Sequence, residues 1–183
     1  MFVMALLVRD VVVCGPKRGF GPAPPCICGS GLESDRCCER LVRDLGARRK
    51  ATPGAIVRSR YRAYAKGAHA YLMDTTHELN SQYSEDRTTW RASLAQQPYG
   101  EYRFLGATIL DETVDGDSAK VRFVAKLKLK TSGRRADFQE LSYFKRTDDG
   151  WKYLGGDVTT APVVDLKTGE NADDLLGDLT SRS

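Results

Sequence analysis

A chain of 183 residues with 41% hydrophobic and 28% charged side chains has the make-up of a folded protein, one ordinary domain plus short extras, and not of a disordered polymer. The formal net charge of +4 is small for this length, and its distribution says more. Nine basic and two acidic residues lie between Glu39 and Lys66, whereas residues 157–183 hold six acids and two bases; such a front can attract the acidic tail, RNA or an acidic protein, although a solvated surface is the commoner meaning of charge runs.

The first segment, Met1 to Cys14, is apolar but broken by Arg9 and Asp10. It is shorter than the roughly 20 residues of a membrane span, and it lacks the basic start and small-residue cleavage site of a secretory signal. A cytoplasmic protein without membrane association is expected, the alternative being a plastid or mitochondrial protein whose leader is part of a targeting segment. A Gly/Pro-rich linker ends this leader at Pro25. In a reducing compartment, clustered cysteines are more often metal ligands than disulfides.

Residues 26–45 form a cysteine module: Cys26-x-Cys28, eight residues, then Cys37-Cys38. Four thiolates close a tetrahedral zinc site with no open position, which argues for a structural role. Gly29-Ser30-Gly31 lets the backbone curl and aim amide N–H groups at the sulfurs, offsetting part of their negative charge. Cys37 and Cys38 can both ligate at the start of a helix, which Glu39 to Leu45 supplies. Cys14 stands apart as a bystander. Gly46 to Lys50 reads as a basic joint, and the module and the domain after it are expected to have separate cores.

The main domain spans residues 52–157. Thr52 is an N-cap candidate, with Pro53 at the first helical position; Ile56, Ala63 and Tyr64 follow helical spacing, and Gly67 interrupts. A second helix carries Ala70, Tyr71 and Leu72. A third, Thr88 to Gln97, stops at Pro98 and Gly100. The period then becomes two. Tyr102–Thr113 is a strand and Asp115-Gly116 its turn. In the next strand Val121, Phe123, Ala125, Leu127 and Leu129 share one face, and Lys120, Arg122, Lys126, Lys128 and Lys130 the other. Phe138–Arg146 and Trp151–Leu154 complete an antiparallel meander. Helices first and a meander after predict an α+β fold, with the helices on one face of a curved sheet. Residues 158–183 read as an acidic disordered tail with one helical turn at residues 172–179.

The stretch Pro25-Cys26-Ile27-Cys28-Gly29-Ser30-Gly31 through Cys37-Cys38, C-x-C-G-S-G-x5-C-C, resembles the SEC-C motif, a zinc module best known from the end of the SecA translocation ATPase. There it is implicated in contacts with a chaperone and the ribosome. The order of the segments after Cys38 resembles the YchJ family, in which this motif precedes a nuclear transport factor 2-like (cystatin-like) domain. Arg58-Ser59-Arg60-Tyr61-x-Ala63-Tyr64, Tyr71-Leu72, Thr75-x-His77, Leu105-Gly106, Phe123-Val124-Ala125, Glu140-x-Ser142-x-Phe144 and Gly150-Trp151-x-Tyr153 carry this likeness. It implies Zn(2+) at Cys26, Cys28, Cys37 and Cys38 and a cone enclosing a pocket. It implies no reaction, because relatives of this fold include both enzymes and binding proteins.

Two readings of function are open, and the first is preferred. In one, an accessory or adaptor protein uses the zinc module and basic joint to meet a protein partner or the ribosome. In the other, an isomerase, dehydratase or hydrolase uses the cone pocket, with Glu140 or His77 as acid or base, and Arg58, Arg60, Tyr64 and Ser142 as further candidates. A roomy, partly apolar pocket with Glu140 or His77 at its floor would favour the second. On the strand bearing Phe138, Glu140, Ser142 and Phe144, a carboxylate between phenylalanines ranks a buried pair with Arg58 or Arg60 first, an exposed outer face next and a catalytic carboxylate last. Nucleic-acid binding by the Lys126, Lys128, Lys130 row is the weakest reading, since no aromatic side chains interleave it for base stacking.

Overall fold

The computed structural model describes residues 24–160. The leader, Cys14 and the helical turn expected at residues 172–179 lie outside the described residues. Five α-helices precede four strands: α1 Cys38–Arg43, α2 Leu45–Arg49, α3 Pro53–Lys66, α4 His69–Asp74, α5 Arg87–Gln96, then β1 Tyr102–Asp115, β2 Ser118–Leu129, β3 Phe138–Thr147 and β4 Gly150–Thr160. The joint expected at Gly46 to Lys50 is therefore helical. Asp44 caps α2 by accepting from the Ala47 N–H, and Arg48 turns inward to donate to the Leu41 and Val42 carbonyls that α1 leaves free.

Local signals explain α3. The Thr52 side chain accepts from the Ala55 N–H, Pro53 occupies the first turn, and Gly67 ends the helix in the left-handed conformation. Ile56, Val57 and Tyr61 are buried against the sheet, and Ala63 is buried against α4 and α5.

The strands form an antiparallel sheet in the order β1-β2-β3-β4. Its inner face carries the alternating residues of β2, with Val121, Phe123, Ala125 and Leu127 buried, while Lys120, Arg122 and Lys128 are exposed outside. Lys126 is half-buried, and Lys130 lies past the strand end, its ammonium donating to the Gly100 carbonyl. Register shifts near Leu105, Leu110 and Tyr143 bend the sheet over the helices. β4 runs to Thr160, so the tail expected from residue 158 starts inside a strand. Its outer edge is paired at Tyr153 by Thr75–His77: Tyr153 donates its N–H to the Thr75 carbonyl, and His77 donates to the Tyr153 carbonyl.

The expected separation of cores does not hold. Cys26, Cys28 and Cys38 lie in one buried cluster with Ile56, Tyr61, Phe123, Phe144 and Trp151. The bulge at Gly106 makes the joint: Gly106 (φ 145°) and Gly29 (φ 82°) meet backbone to backbone, where a side chain on either would be strained. The Ala107 N–H then donates to the Cys28 carbonyl at 2.9 Å, and Arg58 clamps the same junction by donating to the Ala107 and Cys28 carbonyls.

Tyr61 joins this junction to the rest of the sheet. Its hydroxyl accepts from the Gly106 N–H and donates to the Lys126 carbonyl, each at 2.8 Å. Burial pushes the phenol up to about 12, so it stays a donor at neutral pH. Tyr61→Phe leaves both backbone groups without this partner, and a loss of about 2 kcal/mol in urea unfolding is expected; an unchanged midpoint would show that water replaces the hydroxyl.

Candidate functional site

The metal-ligating group is built by two short segments. Cys26 and Cys28 lie on a knuckle closed by the Cys26 N–H donating to the Leu32 carbonyl and the Gly29 N–H to the Cys26 carbonyl. Cys37 and Cys38 stand at the start of α1. Their four sulfurs all lie within 4.8 Å of one another. Two of the separations, Cys28 to Cys37 and Cys37 to Cys38, are 3.6 and 3.7 Å. A tetrahedron with metal–sulfur bonds of about 2.3 Å has edges of about 3.8 Å. These distances fit a shared ion and are far too long for a disulfide of about 2.05 Å. The Ser30 hydroxyl lies 3.1 Å from the Cys37 sulfur.

The Cys28 thiol is drawn down to about 4, first by its hydrogen bond with Cys38, then, against the opposing effect of burial, by Ser30. The same bond and then burial push Cys38 up, and burial pushes Cys37 up. Four sulfurs this close cannot all be thiolates without a cation among them, so binding a metal ion would release the remaining protons.

The second feature is a cavity of about 300 Å³ between α3 and the inner face of the sheet. Its walls are aromatic, with Tyr64, Tyr99, Phe104, Phe123 and Phe138 among them, and its polar groups include Arg60, Gln82, Glu140, Ser142 and Tyr153. Strand alternation brings Phe138, Glu140, Ser142 and Phe144 to it together. Glu140 Oε1 accepts from the Ser142 hydroxyl at 2.6 Å and from the Tyr153 hydroxyl at 3.0 Å. Burial first, and then the Glu140 charge, push the Tyr153 phenol up, which keeps it a donor.

The Glu140–arginine pair does not form. Arg60 is 7% exposed and does reach inward, but it donates to the Leu72 carbonyl and to the Thr75, Thr76 and Tyr64 hydroxyls, with its guanidinium over the Tyr153 ring. Tyr153 separates the two charges. Arg58 lies at the module junction and does not line the cavity. Nor does His77: it is buried in the turn after α4, its Nδ1 accepting from the Leu79 N–H. Gly156 had no signal in the sequence. Across the sheet from Ser142, a side chain there would collide with the Glu140 carboxylate, so this glycine makes its room.

A four-cysteine metal-binding module docked on a helix-backed, curved antiparallel sheet defines the class: a SEC-C-type module joined to a nuclear transport factor 2-like (cystatin-like) α+β domain. The profile described as "YchJ, middle NTF2-like domain" matches residues 52–156. The chain belongs to the YchJ-type family. It is 34% identical over 133 residues to a UPF0225 protein of Serratia proteamaculans, covering 72% of this chain and 81% of that protein. It is 34% identical over 151 residues to a UPF0225 protein of Geobacter sulfurreducens, covering 80% of this chain and 87% of that one. The solution structure of a SEC-C motif containing protein from Rhodopseudomonas palustris superposes with a TM-score of 0.58 at 30% identity, covering 73% of this chain and 98% of that one. A crystal structure of a SEC-C motif containing protein from Psychrobacter arcticus shares the fold, with a TM-score of 0.55 at 20% identity over 75% of this chain and 84% of that one. No helix among the described residues is long and apolar enough to cross a membrane.

Proposed function

We propose that this chain is a zinc-stapled receptor for a small molecule: Cys26, Cys28, Cys37 and Cys38 hold one structural Zn(2+), and the cavity over the sheet is the working site. The observation that carries this is the cavity itself, with aromatic walls, about 300 Å³, and a single oriented carboxylate, Glu140. The metal's part is structural, since a four-thiolate site has no open position for a substrate. Glu140, flanked by the Ser142 and Tyr153 donors, is also where acid–base chemistry of an isomerase, dehydratase or hydrolase would be carried. A reducing cytoplasm is the setting in which four free thiols persist.

Mapping a fragment library by protein-observed NMR tests the cavity. Val158 lines it and is 60% exposed, which places this side chain at the mouth. Fragments are expected to shift cavity residues, and Val158→Trp to weaken them by about tenfold or more without loss of stability. Fragments that map elsewhere, or that ignore the substitution, would contradict the reading.

An adaptor role is a second reading, favoured by one feature. Leu32, in the segment between the two cysteine pairs, is 56% exposed, and Arg36 in the same segment is exposed too. A protein partner, or the ribosome, would have to use this segment, because the opposite side of the module is packed on the domain. Pull-downs with the intact chain and with Leu32→Asp would separate the two.

A further inference from the structure

We infer that the cavity takes a small protonated amine with an apolar, planar body, its ammonium seated on the second oxygen of Glu140. This inference rests on the small-molecule reading above and names the ligand class. Arg60 and Glu140 are the charged side chains lining the cavity among the described residues. They differ in how far the protein occupies them. Arg60 makes four hydrogen bonds, to the end of α4 and to Tyr64, and is stacked on Tyr153. It faces the carbonyl end of a helix, which offsets its charge.

Glu140 is placed differently. Its Oε1 holds two hydroxyl donors, while no donor among the described residues reaches Oε2. Nor is Oε2 sealed away: no buried side-chain oxygen lacks a partner among the described residues, so this atom keeps accessible surface. A carboxylate carries about four acceptor sites, and those on Oε2 have no donor among the described residues. Gly156 leaves room for the carboxylate where a side chain would collide with it, so its position is a property of the fold. A cationic N–H donor satisfies the free oxygen with a charge-assisted bond. Aromatic faces such as Phe104, Phe123 and Phe138 add cation–π attraction and contact for a flat body. A carboxylate ligand would meet Glu140 with like charge.

Three probes of one shape separate the cases: phenethylamine, phenethyl alcohol and hydrocinnamate, titrated against the intact chain by protein-observed NMR at neutral pH. The amine is expected to bind about tenfold or more tightly than the alcohol, with the carboxylate weakest. Glu140→Gln should erase the advantage of the amine; if that variant fails to fold, the ranking on the unaltered protein decides. Equal affinity of amine and alcohol, or preference for hydrocinnamate, would overturn the amine class and leave the pocket reading standing. Failure of all three also overturns the amine class, and the pocket reading then rests on the fragment mapping.

Discussion

Cys28→Ser is expected to unfold the whole described chain and not the module alone. Cys28 is fully buried within the cluster that contains Ile56, Tyr61 and Trp151, and its carbonyl receives the Ala107 N–H of β1. Losing one of four thiolates costs most of the metal's affinity, and in small metal modules that affinity is folding free energy. The expected loss is about 4 kcal/mol or more, against a total of about 5–15 kcal/mol for a typical domain. Trp151, 3% exposed in the same cluster, is the reporter once Trp90 is replaced by Phe in both proteins. Its fluorescence should shift to the unfolded value at much lower urea, together with loss of metal by elemental analysis. A Trp151 transition that stays put while the metal is lost would restore the picture of two separate cores.

Gly150→Ala is expected to cost about 3 kcal/mol or more. Gly150 opens β4 with φ 100°, a region unfavourable for alanine. A Cβ there would lie 2.8 Å from the Arg48 carbonyl oxygen and 3.1 Å from the Arg49 Cα, both backbone atoms that cannot rotate away. α2 would have to move, taking with it Arg48 and its bonds to the Leu41 and Val42 carbonyls behind the metal-ligating group. Gly155→Ala is the control: open space surrounds that position, and less than about 1 kcal/mol should be lost. Similar losses for both would mean that contact with α2 is not what restricts residue 150.

Features that depend on a few neighbours were readable in the sequence. Thr52, Pro53 and Gly67 bound α3 through local hydrogen bonds and backbone preference, and the alternation from Val121 to Leu127 fixes which face of β2 is buried. The four cysteines announce their own chemistry through spacing, and the same alternation brings Glu140 and Ser142 to the cavity. What was hidden depends on long-range register. Arg48 reads as part of a basic joint, yet its guanidinium is buried over Tyr71. His77 reads as an acid–base candidate until the pairing of Thr75–His77 with β4 places it outside the cavity. The missing Glu140–Arg60 pair has the same origin, because the pairing of β3 with β4 brings the Tyr153 hydroxyl to Glu140 and its ring under Arg60. Gly156 carries no local mark either, since it is a glycine because of Glu140 on the neighbouring strand.

Hydrogen exchange on the zinc-loaded chain and on the chain stripped by a chelator tests the central claim, that one metal site and the ligand cavity share a single core. The informative amides are those of Ala107, bonded to the Cys28 carbonyl, Gly106, bonded to Tyr61, and Leu127, on the cavity wall and bonded to the Asp137 side chain. Stripping the metal is predicted to remove protection at all three and along β1 and β2, not only in the module. Loss of protection confined to residues 24–45, with Leu127 unchanged, would contradict it.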